Sequence, residues 1–426
     1  MTSTNTAAWL SEAKLHPFEI KESPLGKPEA NEILVRNHAV AINPIDGMIQ
    51  TKAFFPLNYP TILGQDVAGE VVSIGDNVTR FKPGDRVLGH AIGLMAGRNE
   101  ACGFQTYTIL QDNLACEIPD YITYEQAAVL PLCLSTAASG MFQEDFLHLN
   151  LPTEPRAAPT GQTLLVWGGA SSVGSNAIQL AVAAGYEVIT TASPKNVDYA
   201  KRLGASQVFD YSSPTVCDDI VQATKDKVLA GALDCIGFSA TAVCVEILSK
   251  SQGKKFVATV KGGFAPPPDG IHVKHIFGTT LKDNFVGKAV YEDFLLRALR
   301  SGAFVPAPEP LVVGTGLGKV QEAVDFSLPV RAAYPGTDTL PDDAVPKEVS
   351  KEDVVEYAVR GFFYDFTVSS PDSISASVGF LKDLEAQIQR KGMASVLVKA
   401  CMMISYANQA TKLHRPSFTI KAEVYC

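Results

Sequence analysis

The chain has no C-x-x-C pair, no basic N-terminal stretch followed by an apolar run, and no uncharged apolar segment of membrane-spanning length. Each absence removes a class of protein. Cys102, Cys116, Cys133, Cys217, Cys235, Cys244, Cys401 and Cys426 are too scattered for a compact disulfide framework or a four-cysteine zinc cluster. They read as small core hydrophobes in a reducing, cytoplasmic setting. Residues 1–8 are small and polar, which predicts no leader peptide. Positive charge is also short: the net charge is −9, so no electrostatic footprint for nucleic acid or an anionic membrane is expected. Internal repeats and low-complexity tracts are missing too. What remains is a chain of 426 residues, 46% apolar and 19% charged, which fits two folded domains and excludes wholesale disorder.

Two textures follow one another. Residues 1–150 alternate like strands over 32–37, 67–75, 86–89 and 103–110, separated by Gly, Pro and Asp turns, which predicts a small β-barrel. A helical stretch over 124–130 is interrupted by Pro131. Residues 150–161 hold three prolines and little to pack, and read as a surface connection. From 162 onward strands (163–167, 187–191, 207–210, 233–237, 255–260) alternate with helices (175–184, 197–203, 216–223, 241–248). That β-α-β series predicts an α/β fold with a doubly wound parallel sheet. An amphipathic helix over 286–302 should end at Gly302, followed by a strand at 311–313 and a helix over 317–326. Residues 329–346 read as a Pro/Asp-rich loop, and 351–426 as mixed helical segments.

The sharpest signal is Trp167-Gly168-Gly169-Ala170-Ser171-Ser172-Val173-Gly174, placed between an apolar strand and a helix. Glycine permits the tight turn and lets backbone approach a diphosphate, and the first N–H groups of the helix then face an anion. A Gly-rich turn alone is a plain strand-to-helix loop; in a β-α-β setting it predicts dinucleotide binding. The end of the next strand discriminates between cofactors. An Asp or Glu there would bind a free ribose 2′-hydroxyl, but the chain reads Thr191-Ala192-Ser193-Pro194-Lys195-Asn196. Ser193 and Lys195 suit a 2′-phosphate instead, which predicts NADPH; read blandly, Lys195 is a solvated surface lysine.

With Asn43-Pro44-Ile45-Asp46, Leu63-Gly64-Gln65-Asp66-Val67-Ala68-Gly69-Glu70 and Phe81-Lys82-Pro83-Gly84-Asp85-Arg86-Val87, these motifs resemble the medium-chain dehydrogenase/reductase superfamily over about residues 8–328. Within it the chain is most similar to the zinc-free fungal branch that includes trans-acting enoyl reductases and quinone oxidoreductases. The resemblance implies a GroES-like catalytic barrel (1–155 and 301–328), a Rossmann domain (156–300), and an atypical tail (329–426) where a closing strand would be expected. It implies that Asn43, Pro44 and Asp46 line the nicotinamide end of the cleft. Gly168, Gly169, Ser171, Ser172, Val173 and Gly174 would hold the pyrophosphate, Ser193, Lys195 and Asn196 the 2′-phosphate, and Tyr211 would lie near the adenosine. Leu132, Cys133, Ser135 and Thr136 would border the substrate. Without the resemblance, Asn43-Pro44 and Asp46 read as a turn and helix start, and Tyr211 as strand packing.

Zinc-dependent relatives carry a Cys where Asn43 stands and a His-Glu pair where Gln65-Asp66 stand, so no metal is expected. His272 and His275 have H-x-x-H spacing without a third ligand, and read as one exposed and one packed histidine of a strand. Lacking a Lewis acid, the expected chemistry is hydride addition to an activated C=C, an enone or a carrier-bound enoyl group, with donors stabilising charge on the carbonyl oxygen. No pair of residues forms an obvious dyad, so the catalytic residues stay unassigned. Quinone reduction is the alternative reaction, and a non-catalytic NADPH-binding or interaction protein the alternative class.

Overall fold

The structure, a computed structural model, describes residues 4–333; the expectations made for the tail from residue 334 onward lie outside the described residues. The first part is built from β1 (Asn5–Leu10), β2 (Glu19–Ser23), β3 (Glu32–Ala41), β4 (Thr61–Ile62), β5 (Asp66–Ile74), β6 (Arg86–His90), β7 (Tyr107–Gln111) and β8 (Ala115–Glu117). They form an antiparallel five-stranded sheet in the order β7-β3-β5-β6-β8 and a three-stranded sheet β2-β1-β4. An Ala7–Gln105 bridge and the Ala8 N–H to Phe104 O hydrogen bond join the two into a curled barrel. Period-2 alternation makes the interior: Ile33 and Val35 join Val67, Val71 and Val87 on one face, while Leu34 packs with Ala101 and Ile109 on the other.

The second part is a parallel sheet of β9 (Gln162–Trp167), β10 (Glu187–Ala192), β11 (Gln207–Asp210), β12 (Val228–Asp234), β13 (Gln252–Gly253), β14 (Phe256–Thr259) and β15 (His272–His275). The spatial order is β11-β10-β9-β12-β14-β15, with β13 beside β12. The chain runs outward from β9 through β10 to β11, then returns to the opposite side of β9 at β12. The β9/β12 boundary is therefore the topological switch point, where a crevice opens at the strands' carboxyl ends. Near-continuous apolar strands follow from burial on both faces: Leu164, Leu165 and Val166 are all fully buried.

Four details differ from expectation. Pro131 does not end a helix but begins one, Pro131–Phe142, at the first-turn position where its missing N–H costs nothing. This helix buries Leu134, Ala137, Ala138 and Met141 in one cluster with Ala177, Ile178, Leu180 and Leu233, so the barrel side and the parallel sheet share a core. The 286–302 helix is interrupted by a π-helical segment, Lys288–Phe294, before Leu295–Ser301 and the left-handed cap Gly302 (φ 75°). Residues 311–313 form no strand; Leu311 and Val312 stand exposed, and Pro308 and Pro310 remove the backbone donors that would start a ladder. The last described helix, Val320–Ala333, continues through Pro329. It is fixed to the barrel by a reciprocal Gln50–Gln321 amide pair (2.8 and 3.1 Å), the Phe18 N–H bond to Gln321, and Val320 and Val324 packed with Ile49, Leu63 and Phe104. No helix among the described residues is long and apolar enough to cross a membrane.

Candidate functional site

The turn after β9 is built as its sequence demands. Gly168 adopts φ 83°, a left-handed conformation that glycine alone takes at no cost. Its N–H donates to Thr191 Oγ1 and the Gly169 N–H to Thr191 O, both at 2.9 Å, which ties the turn to the end of β10. Ser171 caps the Ser172–Ala183 helix: its Oγ accepts from Gly174 N–H at 3.0 Å and donates to Gly168 O at 2.7 Å. The helix starts three residues earlier than expected, because Ser171 rather than the last glycine is the cap. The cap occupies Gly174 N–H, which leaves the earlier amides of this first turn for an anion. A Cβ on Gly174 would collide with Gly168 O and reach Gly169 Cα at 2.7 Å, both rigid backbone. Gly174→Ala is therefore expected to open the turn, lowering nucleotide affinity at least about tenfold and Tm by several degrees. Titration calorimetry and thermal melts would check both; unchanged values would mean the turn tolerates a side chain and is not held as described.

After β10 comes a 3₁₀ turn, Pro194–Asn196, with Ser193 before it. The Ser193 hydroxyl is buried and has no hydrogen-bond partner. A buried hydroxyl with a proton and no acceptor is a costly arrangement that a phosphate oxygen would relieve. Lys195 is exposed beside it and Asn196 half-buried. Tyr211, just past β11, is 43% exposed rather than packed in a strand.

On the barrel side, Asn43 and Asp46 begin the Pro44–Lys52 helix. Asn43 N–H donates to Asp46 Oδ2 at 2.8 Å, and Asn43 Nδ2 donates to Asp66 Oδ2 at 2.7 Å. The other oxygen of Asp66 accepts from Leu132 N–H at 2.6 Å, at the start of the Pro131–Phe142 helix. Asp66, on β5, thus ties the segment around Asn43 to the segment around Leu132. Asp46 and Asp66 are both buried, and burial pushes each carboxyl up to about 7; for Asp46, the neighbouring Asp66 charge adds to the rise.

The four residues expected to border the substrate divide by helical phase. Leu132 and Thr136, four apart, are half-buried on one face; Cys133 and Ser135 are buried to either side of it. Thr136 Oγ1 donates to Leu132 O at 2.8 Å, and its side chain abuts the backbone of Gly278. Ser135 is fully buried, its hydroxyl between His90 Nδ1 (2.9 Å) and Tyr291 Oη (2.8 Å). Tyr291 Oη donates its one proton to Pro131 O at 2.8 Å. Ser135 must then donate to Tyr291 and accept from His90 Nδ1–H. Burial drives His90 down to about 3 and raises Tyr291, so the chain of groups stays neutral and acts as a strut under the helix start. His90 and Tyr291 carry no motif and were not identified from sequence; a histidine in an apolar strand and a tyrosine in an amphipathic helix are the only hints.

His272 is exposed and His275 half-buried against Phe277, with ring centroids 4.4 Å apart. Among the described residues no three His, Cys, Asp or Glu side chains stand close enough together to hold a metal ion. Both oxygens of Asp66 are already engaged by Asn43 and Leu132. The donor set at this position does not fit the zinc of metal-dependent relatives.

Residues 29–132 match the family model for the alcohol dehydrogenase GroES-like domain, and residues 172–297 that for zinc-binding dehydrogenase. The chain is 61% identical to the zinc-binding alcohol dehydrogenase domain-containing protein cipB of Emericella nidulans, over 76% of this chain and 94% of that protein. It is 40% identical to the trans-enoyl reductase himH of Aspergillus japonicus, over 76% of this chain and 93% of that one. In fold it resembles Escherichia coli quinone oxidoreductase, solved as a complex with NADPH, with a TM-score of 0.55 at 20% identity over 76% and 96% of the two chains. A GroES-like barrel and a pyridine-nucleotide-binding Rossmann sheet, joined as described, make this chain an oxidoreductase of the medium-chain dehydrogenase/reductase superfamily.

Proposed function

We propose that this oxidoreductase uses NADPH, without zinc, to reduce an activated C=C bond of an enone or a carrier-bound enoyl group. The observation that carries the cofactor choice is the unpartnered buried hydroxyl of Ser193, set beside Lys195 where an acid would favour NADH. Residues 168–174 would cradle the diphosphate through backbone amides, with Ser193 donating to a 2′-phosphate oxygen and Lys195 and Asn196 adding charge and a further amide. Asn43, Pro44 and Asp46 would line the nicotinamide end. Leu132 and Thr136, on the half-buried face of their helix, would border the substrate. The bound dinucleotide would supply a hydride. The role of the barrel is to orient both partners and exclude water, through a framework in which Asp66 joins Asn43 to Leu132 and the His90–Ser135–Tyr291 strut supports the helix start. The relative named as a trans-enoyl reductase supports C=C reduction over alcohol oxidation, as does a donor set unsuited to a Lewis-acid metal.

The test is a substrate panel of an enone, an enoyl thioester and a quinone, read as loss of reduced-nicotinamide absorbance, with and without a metal chelator. Turnover of the enone or enoyl thioester, unchanged by the chelator, is expected. Turnover of quinone alone would replace the reaction proposed, and chelator inhibition would overturn its independence of zinc.

A further inference from the structure

The peptide group between Pro131 and Leu132 is gripped at both ends by buried side chains from distant parts of the chain. Its N–H donates to Asp66 Oδ1 of β5 at 2.6 Å, and its carbonyl oxygen accepts from Tyr291 Oη at 2.8 Å. A first-turn N–H has no partner within its own helix, so Asp66 supplies one from outside. Tyr291 is fully buried in the middle of the π-helical segment Lys288–Phe294, an uncommon geometry that concentrates at functional sites. On its outer side that segment is held to the barrel by Glu292, which pairs with Arg80 at 3.5 Å. With the Tyr291 proton on Pro131 O, Ser135 donates to Tyr291 and His90 Nδ1–H to Ser135. That order leaves the lone pair of His90 Nε2, fully buried, without a donor. An apolar residue at this place would avoid the cost of desolvating that nitrogen, so the histidine is retained for the donor at its other one.

Resting on the reading above that Leu132 and Thr136 border the substrate, we propose that Tyr291 is a positioning residue for that substrate, acting through Pro131 O on the peptide group that carries Leu132. Fixing the plane of this peptide fixes the direction of the Leu132 side chain. The constraint reaches Thr136 as well, because Thr136 Oγ1 donates to Leu132 O at 2.8 Å. Asp66 grips the same peptide while holding Asn43 with its other oxygen, so the substrate face and the proposed nicotinamide end share one anchor. Neither hydrogen bond of Tyr291 reaches the phosphate turn, so its influence falls on the substrate and not on the dinucleotide. A face displaced by about 1 Å is enough to lower turnover up to roughly a hundredfold.

The experiment compares wild type, Tyr291→Phe and Val290→Ala by steady-state kinetics with the enoyl thioester of the panel above, calorimetric binding of NADPH, and thermal melts. Phenylalanine keeps the ring, and the Ser135 hydroxyl can turn to Pro131 O one helical turn before it, so Tm of Tyr291→Phe is expected to stay within about 3 °C of wild type. Its KM should rise about tenfold, with kcat within about threefold and the NADPH Kd within about twofold. Val290, fully buried beside it in the same segment, is the packing control. Val290→Ala should lower Tm by several degrees and leave KM within about twofold. An unchanged KM in Tyr291→Phe overturns the proposal while the reaction reading stands. So does a rise in KM that Val290→Ala shares, or one matched by an equal rise in the NADPH Kd, because Tyr291 would then only pack. If the wild type turns over quinone alone, the reaction reading falls and the same KM comparison, made with quinone, still decides for or against Tyr291. Failure of the wild type to turn over any of the panel sinks the reaction reading and this inference with it.

Discussion

Replacing Lys195 with Glu is expected to weaken NADPH binding by roughly a hundredfold or more while leaving NADH binding within about threefold, so that preference inverts. The 2′-phosphate carries about 1.5–2 negative charges near neutral pH. Two unit charges about 4 Å apart interact by roughly 4 kcal/mol near a protein surface, before salt screening. Lys195 is exposed, so screening removes much of that figure, and removing one attraction while adding one repulsion leaves about 3 kcal/mol, or two decades in Kd. Ser193→Ala should give a smaller loss of about tenfold, because it removes one charge-assisted hydrogen bond and no charge. Raising the salt concentration should narrow the Lys195→Glu effect far more than the Ser193→Ala effect. Calorimetric Kd values for both nucleotides in the three proteins decide it. Unaltered NADPH affinity in Lys195→Glu would place the 2′-phosphate elsewhere and remove the basis for the cofactor choice.

What could be read in advance follows from the range of the interactions. The Gly168–Gly174 turn was legible because strand, turn, cap and helix are contiguous and the glycines answer to local backbone geometry. The alternation of strand and helix in the parallel sheet was legible for a similar reason: most strands are short apolar runs and most crossovers helices of ordinary length. The framework under the cleft was not, because its bonds join residues far apart in sequence, Asp66 to Leu132 and Ser135 to Tyr291. Such contacts leave no periodicity. Pro131 reads as a break but is the first residue of a helix, whose phase sets Leu132 and Thr136 on a half-buried face and leaves Ser135 in the core. Residues 311–313 failed differently: three apolar residues carry no strand signal unless an edge is present to pair with.

Asp66 offers the second large effect, through pH. In the unfolded chain its carboxyl titrates near 3.8; in the fold, burial raises it to about 7, opposed by the hydrogen bonds from Asn43 and Leu132. Between those values the native state binds more protons than the unfolded state, so stability falls as pH rises from about 4 to about 7 and is level above that. The span corresponds to about 2–4 kcal/mol for this group. Asp66→Asn keeps the shape and removes the titration. Its Oδ1 still accepts from Leu132 N–H, but the bond from Asn43 Nδ2 is lost, because the Asn43 oxygen is held by the Asp46 N–H in the helix cap and cannot turn to the new Nδ2. That loss is the same at every pH, so the melting temperature of the variant should gain on wild type by several degrees between pH 4.5 and pH 8, a change that Asp46, still titrating in both proteins, does not cancel. Melting curves that stay parallel across this range would show that Asp66 remains ionised in the fold. In that case the amide of Leu132 and the dipole of its helix outweigh burial, and the tie between Asn43 and Leu132 is a charged one at every working pH.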